Sequence, residues 1–260
     1  MSRLHQFKAY FNHWLHVVDE HSVHSPFFFD FYINVLRKSE VHGIREIEAL
    51  RDNLLNNHSE IDVTDLGSGS AHFSSSKRML SQIALTGLTP RLFCSFYFRM
   101  LQFLEAKKVV ELGTSLGITT LYLAARKEAK IITFEGSSSV ANVALTNFEY
   151  FNSKNVDLIE GNIDSTLPDF LQNPSKINFA LIDANHRYEP TIRYFTLLSK
   201  RMADKGIIVV DDIHHTPEME MAWNELRKND LVYASVDLFR CGLLFFDPAL
   251  NKQHFVWSIS

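Results

Sequence analysis

The apolar residues of the N-terminal part recur every three or four positions, which is the spacing of one face of an α-helix. The first such face consists of Leu4, Phe7, Phe11, Trp14, Leu15 and Val18. Pro26 and Pro90 begin the second and fourth predicted helices, since proline is favoured at the first helical position. The third predicted helix covers residues 44–54. The pattern predicts that residues 1–105 are mainly helical, with a loop around Asp65.

The pattern of apolar and polar residues changes at residue 107. Short apolar segments that predict strands now alternate with helical segments; the strands are VVELG, IITFEG, VDLIEGN, INFALID and GIIVVDDI. Such alternation is typical of a parallel sheet covered by helices on both faces. Only Arg240, Cys241 and Gly242 separate the last two strand segments, so these must pair as an antiparallel hairpin. The sequence predicts a helical extension over residues 1–105 and an α/β domain over residues 106–260.

Two segments have the form of a nucleotide-binding turn, in which glycine-rich residues follow a strand. They are VTDLGSGSAHF, which contains Asp65, and VVELGTSLGIT, which contains Glu111. In a nucleoside-binding unit, an acidic residue about 20 positions beyond the turn holds the ribose. Glu135 follows Glu111 at about this distance, whereas residues 66–104 contain no Asp or Glu. We therefore predict that the second turn binds the cofactor.

The first turn, residues 65–70, has two interpretations. Its glycines and serines suit a plain turn that joins helices. They also suit a lid loop that would exclude water from an active site and shape the substrate pocket.

The glycine spacing of the second turn indicates the kind of cofactor. A dinucleotide needs a middle glycine so that the backbone can approach the pyrophosphate. Here Ser115 stands between Gly113 and Gly117. Glu111 would repel a pyrophosphate but could hold an ammonium group. Together with Glu135 for the ribose, this predicts a cofactor with a nucleoside and an amino-acid end, which is S-adenosylmethionine (SAM).

The segments VVELGTSLGITT, TFEG, ALIDANHRYEPT and GIIVVDDI occur in this order. Residues 107 to about 246 thereby resemble class I SAM-dependent methyltransferases, closest to the catechol O-methyltransferase-like group. The resemblance implies a Rossmann-like, seven-stranded, mostly parallel sheet with a reversed last strand, and O-methylation of a small molecule. It implies cofactor contacts from Glu111, Gly113, Thr114, Ser115, Gly117 and Thr119 (methionine end), Glu135 and Gly136 (ribose), Asn162 and Asp164 (adenine side), and Asp183.

Three carboxylates follow two of the predicted strands: Asp183 ends INFALID, and Asp211 and Asp212 end GIIVVDD. The carboxyl ends of parallel strands face the ligand crevice, and oxygen ligands suit Mg²⁺ or another hard divalent cation. Such a metal would lower the pKa of a substrate hydroxyl. The resembling group usually has Asp-Asn where this chain has Asp-Asp. Alternatively, these carboxylates cap helices or bind the cofactor.

The predicted catalytic residues are His186 and Asp183. The resembling group usually has a lysine base after this strand, and His186 stands near that position. Histidine titrates near neutral pH and can act as a general base. The alternative is a hydrogen-bonding loop residue. His214 and His215 could line the same crevice.

Composition narrows the class of protein. Apolar residues make up 46% of the chain, and its net charge of −4 gives no basic face for nucleic acid. Two cysteines without metal-ligand spacing favour a reducing compartment, and no apolar run approaches the ~18 residues of a membrane span. We expect a soluble cytoplasmic protein that acts on a small molecule without nucleic-acid or membrane partners. Its aromatic N-terminal helices would line the substrate pocket or form a homodimer surface.

Two other functions remain open from the sequence. One is a nucleoside-binding transferase that does not methylate, such as an aminopropyltransferase. The other is a non-catalytic binding module that keeps the fold. An NAD-dependent enzyme is disfavoured, because the turn has the spacing GxxxG.

Overall fold

A computed structural model describes residues 3–19, 23–38, 44–64 and 75–259. The elements in chain order are α1 (Arg3–His16), α2 (Pro26–Phe31), α3 (Arg45–Leu55), β1 (Glu60–Thr64), β2 (Ser75–Met79), α4 (Leu80–Gly87), α5 (Arg91–Phe103), β3 (Lys108–Leu112), α6 (Ile118–Ala124), β4 (Lys130–Glu135), α7 (Ser138–Tyr150), β5 (Val156–Glu160), α8 (Ile163–Phe170), β6 (Ile177–Ile182), α9 (Tyr188–Ser199), β7 (Met202–Asp211), α10 (Pro217–Leu226), β8 (Ala234–Asp237), β9 (Cys241–Phe245) and β10 (Gln253–Val256). The glycine-rich segment at residues 65–70 lies outside the described residues.

The chain forms two compact units. The discontinuous unit consists of Met1–Ser39 with Pro174–Ser260, and the central unit consists of Glu40–Asn173. The predicted domain boundary at residue 105 stays a prediction. No helix within the described ranges is long and apolar enough to cross a membrane.

The central unit is built on three parallel strands, in which β3 pairs with β4 and β4 pairs with β5. Their register places Glu111 of β3 opposite Thr133 of β4. Helices α6 and α7 bury Leu121, Ala144 and Phe148 in one apolar cluster. Because both helices are fixed by this packing, the turn between β3 and α6 has a rigid frame.

The discontinuous unit carries the reversed strand. Strand β6 pairs parallel to β7, whereas β9 pairs antiparallel to both β7 and β8. The hairpin predicted from the short Arg240–Gly242 connection is therefore confirmed. Helix α2, which begins at Pro26 as predicted, packs here with Phe28 and Phe31 fully buried against Phe245.

Strands β2 and β10 were missed by the sequence analysis. In the part predicted to be mainly helical, β1 pairs with β2 as an antiparallel hairpin. The segment SSKRM of β2 is polar, so no apolar pattern marks it. Strand β10 pairs parallel to β8; with it, the two units contain eight strands besides this hairpin within the described residues, one more than predicted.

Helix α1 is attached to the discontinuous unit by its polar side. His13 approaches Asp237 at 3.4 Å, and the side chain of Gln6 donates to the carbonyl oxygen of His215 at 3.4 Å. The opposite side is apolar and more than half exposed; its residues are Leu4, Phe7, Phe11, Trp14 and Leu15. The periodicity identified this apolar face, but the face points to solvent.

Candidate active site

The turn between β3 and α6 needs backbone conformations that favour glycine. Gly113 and Gly117 have φ of 101° and 85°, and Ser115 between them has φ of 50°. The Gly117 N–H donates to the carbonyl oxygen of Thr114 at 3.0 Å and closes the turn. A Cβ on Gly117 would lie 2.7 Å from a ring carbon of Phe148, closer than real Cβ contacts. Both φ and packing therefore require glycine at position 117.

Glu135 joins this turn to the start of α7. Its Oε2 accepts from the Ser115 backbone N–H and its Oε1 from the Ser137 backbone N–H, each at 2.9 Å. Burial raises the pKa of Glu135, while the hydrogen bonds from Ser137, Ser115 and Gly136 oppose that shift. Each carboxylate oxygen can accept a further hydrogen bond. The side chain is thus oriented by the turn and can receive two hydroxyl donors.

Glu111 lies behind the turn and is fully buried. Its Oε2 accepts from the hydroxyls of Thr120 at 2.5 Å and Thr133 at 2.6 Å. Because Thr133 gives its proton to Glu111, Thr114 is the donor in the 2.6 Å bond between these two threonines. The second oxygen, Oε1, has no partner among the described residues. An unpaired buried carboxyl oxygen is costly, so a donor group suits this position.

Burial raises the pKa of Glu111 to about 7. The two threonine hydrogen bonds favour the ionised form and oppose this, whereas the nearby charge of Glu135 adds to it. A positively charged donor at Oε1 would favour the carboxylate. The local electrostatics therefore fit an ammonium group and disfavour a pyrophosphate.

The residue that precedes the predicted adenine-side residues contacts Glu135. The Gly161 N–H donates to the Glu135 carbonyl oxygen at 2.8 Å. The next residue, Asn162, caps α8 by accepting from the Asp164 backbone N–H at 2.9 Å. The hydroxyl of Thr119, predicted at the methionine end, instead lies 3.8 Å from the buried thiol of Cys94.

Sequence reasoning missed two groups beside the turn. Thr133 was not singled out, although the β3–β4 register places it opposite Glu111. Gly87 ends α4, and a Cβ there would lie 3.3 Å from Ser115 Oγ, so this helix end approaches the turn. No residue pattern marks this approach, because it depends on tertiary packing.

A second cluster lies in the discontinuous unit at the ends of β6 and β7. His186 places Nε2 3.5 Å from Asp183 Oδ1 and Nδ1 3.9 Å from Asp212 Oδ2. Asn185, His186 and Asp212 have φ of 65°, 35° and 55°. Non-glycine residues in this region store backbone strain, and such residues concentrate at functional sites. The structure thus brings the predicted base together with two of the predicted carboxylates.

Asp211 has a different partner. It is 1% exposed, and its Oδ2 accepts from Arg240 Nη2 at 2.6 Å. Burial raises the pKa of Asp211 even though the Arg240 charge acts in the opposite direction. Among the described residues, no group of three His, Cys, Asp or Glu side chains could hold a metal ion. The three predicted ligands therefore do not form a carboxylate cage, and a guanidinium supplies the positive charge beside Asp211.

His214 turns away from this cluster. Its Nε2 donates to Asp237 Oδ2 at 2.8 Å, and its ring stacks on Phe239 with centroids 5.5 Å apart. His214 is therefore held by Asp237, and the shared crevice of His186, His214 and His215 stays a prediction.

Comparison with known proteins identifies the central part of the chain. Residues 110–213 match the family model described as a methyltransferase domain. This segment is similar to methyltransferase domains. The matched range begins in β3 and ends just after β7, so it includes the glycine turn, Glu135 and the carboxylates that follow β6 and β7.

Solved methyltransferases share the fold of this domain. The O-methyltransferase from Bacillus cereus, solved in complex with SAH, is 16% identical, with a TM-score of 0.55 over 83% of this chain and 96% of that one. TomG, an O-methyltransferase from Streptomyces achromogenes involved in Tomaymycin synthesis and solved with SAM, is 18% identical, with a TM-score of 0.55 over 62% and 82% of the chains. SAH-bound PaMTH1 from Podospora anserina is 14% identical, with a TM-score of 0.55 over 81% and 99%.

At these identities the likeness shows the fold. No curated protein matches the sequence. The resemblance to class I methyltransferases and the predicted mostly parallel α/β fold with a reversed strand are confirmed. The prediction that the chain carries a methyltransferase is confirmed with them.

Proposed function

We propose that this protein is a SAM-dependent O-methyltransferase that acts on a small molecule. The observation that carries the proposal is the pair of carboxylates at the glycine turn. Glu135 is oriented by the Ser115 N–H, and Glu111 keeps one buried oxygen without a partner in the described chain. The solved neighbours that contain SAM or SAH support this choice of cofactor.

The residues of the turn fit the two ends of SAM. Glu135 would accept hydrogen bonds from the ribose hydroxyls, and Glu111 would accept from the ammonium group of the methionine end. Asn162 and Asp164 would lie on the adenine side, since the preceding residue binds the Glu135 backbone. SAM, when bound, supplies an electrophilic methyl group.

His186 is the proposed base in this reaction. It is about one-third exposed and lies between Asp183 and Asp212. These carboxylates can orient the imidazole towards the acceptor hydroxyl. His186 would hold the proton of the acceptor hydroxyl while the oxygen takes the methyl group. A divalent cation on Asp183, Asp211 and Asp212 is not needed for this role, because Arg240 already engages Asp211.

The proposal includes the protein's surroundings. The two cysteines, Cys94 and Cys241, lie far apart in the sequence without metal-ligand spacing, which supports a reducing, cytoplasmic location. The net charge of −4 supports the absence of a nucleic-acid partner. The exposed apolar face of α1 supports a homodimer, because a patch of this kind on a soluble protein marks an interface.

Calorimetry with SAM, SAH and NAD tests the proposal. SAM and SAH should bind and NAD should not. Glu135→Ala should lose the ribose hydrogen bonds and weaken SAM about ten- to hundred-fold. Glu149→Ala is the matched control, since Glu149 is exposed on α7. Unchanged SAM affinity in Glu135→Ala would refute the site assignment. SAM binding without methyl transfer to any oxygen acceptor would favour the aminopropyltransferase-like or binding-module alternative.

A further inference from the structure

A cavity of about 230 Å³ lies in the discontinuous unit, apart from every residue of the proposed catalytic cluster. Helix α1 supplies His13 and His16 to it, α10 supplies Trp223, the residue after α10 is Arg227, and the end of β8 supplies Asp237. No step proposed for methyl transfer uses these residues. The cavity is therefore a second candidate binding site.

The acid at the base of the cavity is already fully engaged. Asp237 accepts from His214 at 2.8 Å, from the Trp223 indole N–H at 3.2 Å and from the Phe239 backbone N–H at 2.8 Å, and His13 lies 3.4 Å away. Burial alone would raise the pKa of Asp237, but the hydrogen bond and charge of His214 lead the opposing effects, and the pKa is lowered. Asp237 is thus a fixed, hydrogen-bonded anion and not a vacant cation site.

The second acid of the lining, Glu220, also has a partner. Its carboxylate lies 3.5 Å from the ring nitrogen of His5 on α1. Neither lining acid is paired with Arg227.

Arg227 is the cation that lacks a counter-charge. Its Nε donates to Asn224 Oδ1 at 3.1 Å, and no carboxylate of the described residues lies within ion-pair distance of its guanidinium. The neighbouring His254 senses this charge: burial first, and then the positive charge of Arg227, lower the pKa of His254 to about 4. His254 is therefore neutral at pH 7, and Arg227 carries the positive potential of the cavity.

We propose that this cavity binds a small oxyanion, a carboxylate or a phosphate, on the guanidinium of Arg227. The planar fork of arginine matches both oxyanions with two parallel hydrogen bonds. Asn224 can add a donor, because its oxygen is held by Arg227 and its amide nitrogen is left to donate. The Trp223 ring gives the cavity an aromatic wall. Drug-sized ligands need about 300–1,000 Å³. A cavity of about 230 Å³ therefore suits a smaller carboxylate or phosphate.

The test is a titration that needs neither SAM nor a methyl acceptor, so it is independent of the proposed function. Inorganic phosphate, benzoate and neutral benzyl alcohol are each added to the full-length protein, and the indole N–H of Trp223 is followed by NMR. At least one of the two anions should give a saturable shift, and the tighter of the two identifies the ligand class. Equal binding of benzyl alcohol would overturn the proposal, as would no saturable shift with either anion.

Variants at the guanidinium sharpen this test. Arg227→Gln should weaken anion binding by about ten-fold or more. Arg227→Lys should retain part of the affinity, because lysine keeps the charge but lacks the planar guanidinium. Asn224→Asp should also weaken it by placing a like charge beside the anion. Lys228→Gln is the control, since Lys228 is the exposed neighbour. Unchanged affinity in Arg227→Gln would contradict the assignment.

Discussion

Arg240 Nη2 donates to Asp211 Oδ2 over 2.6 Å, and that carboxylate is 1% exposed. The two residues meet because β9 runs antiparallel to β7, with Cys241 opposite Asp211 in the register. The reversed strand that characterises this fold therefore also delivers the counter-charge to the end of β7.

Removal of Arg240 should take the counter-charge away from the buried carboxylate of Asp211. We expect Arg240→Gln to lower the free energy of unfolding by about 3–5 kcal/mol at pH 8. Asp211 already has a raised pKa, and the loss should grow as pH rises, because the protonated form is the one tolerated in the folded state. Urea denaturation at pH 5 and pH 8 measures this. Asp211→Asn with Arg240→Gln should recover most of the stability; an equal loss in the double variant would show that the pair is not coupled.

Glu111 predicts a second pH dependence. Its pKa is raised from 4.5 to about 7, so the folded state holds the proton more tightly than the unfolded chain. Stability from this group is present at low pH and is lost as pH rises from 4.5 towards 7, by at most about 3 kcal/mol. Glu111→Gln cannot titrate, so its stability should rise relative to that of the parent protein as pH increases over this range.

Urea denaturation in steps from pH 4.5 to 8 checks the Glu111 effect. Glu149→Gln serves as the exposed control and should follow the parent curve. If the Glu111→Gln and parent curves stayed parallel, the raised pKa of Glu111 would be wrong.

Gly117→Ala should destabilise the protein by roughly 2–4 kcal/mol. The new methyl group adds strain at a φ of 85° and meets the Phe148 ring at 2.7 Å. Adding Phe148→Leu to Gly117→Ala should recover the stability lost to the clash with the ring. The loss caused by backbone strain at position 117 should remain. Gly87→Ala is a matched control, whose Cβ meets only the Ser115 hydroxyl oxygen at 3.3 Å, and should change stability by less than about 1 kcal/mol. Equal effects at the two glycines in thermal unfolding would refute this explanation.

The apolar face of α1 predicts an oligomer. Phe7 is 67% exposed and Phe11 52%, one helical turn apart. If this face binds the same face of a second copy, Phe7→Glu with Phe11→Glu should convert a dimer to a monomer in sedimentation velocity. Leu85→Glu is the control, because Leu85 is 77% exposed on α4 and isolated from α1 in sequence. A parent protein that is already monomeric at high concentration would contradict the dimer.

The sequence was sufficient for features that depend on local pattern. The apolar runs predicted β3 to β9, and the short connection at Arg240 required the antiparallel pair. The polar strand β2 and the orientation of α1 were not predictable in this way. Periodicity shows which side of α1 is apolar, but whether that side is covered depends on residues far away in the chain.

In the candidate site, too, some residues could be predicted from local sequence spacing and others depend on tertiary contacts. Glu111 and Glu135 could be chosen by spacing, because the acid after the second strand recurs at a fixed distance. The hydroxyl partners of Glu111 could not, since they depend on the β3–β4 register and on α6. The role of Arg240 was missed, because three neighbouring carboxylates suggested a metal ion as the source of positive charge. In the structure the guanidinium of Arg240 contacts Asp211.

The last prediction concerns that metal. A divalent ion on Asp183, Asp211 and Asp212 would have to displace Arg240 from a 2.6 Å contact, and the displaced guanidinium would remain close to the ion and repel it. We therefore expect weak Mn²⁺ binding to the parent protein by electron paramagnetic resonance. Arg240→Ala should bind Mn²⁺ at least ten-fold more tightly, and SAM affinity and any methyl transfer should be unaffected by EDTA. Tight Mn²⁺ binding to the parent protein that is lost in Asp183→Asn would contradict this and restore the carboxylate metal site predicted from the sequence.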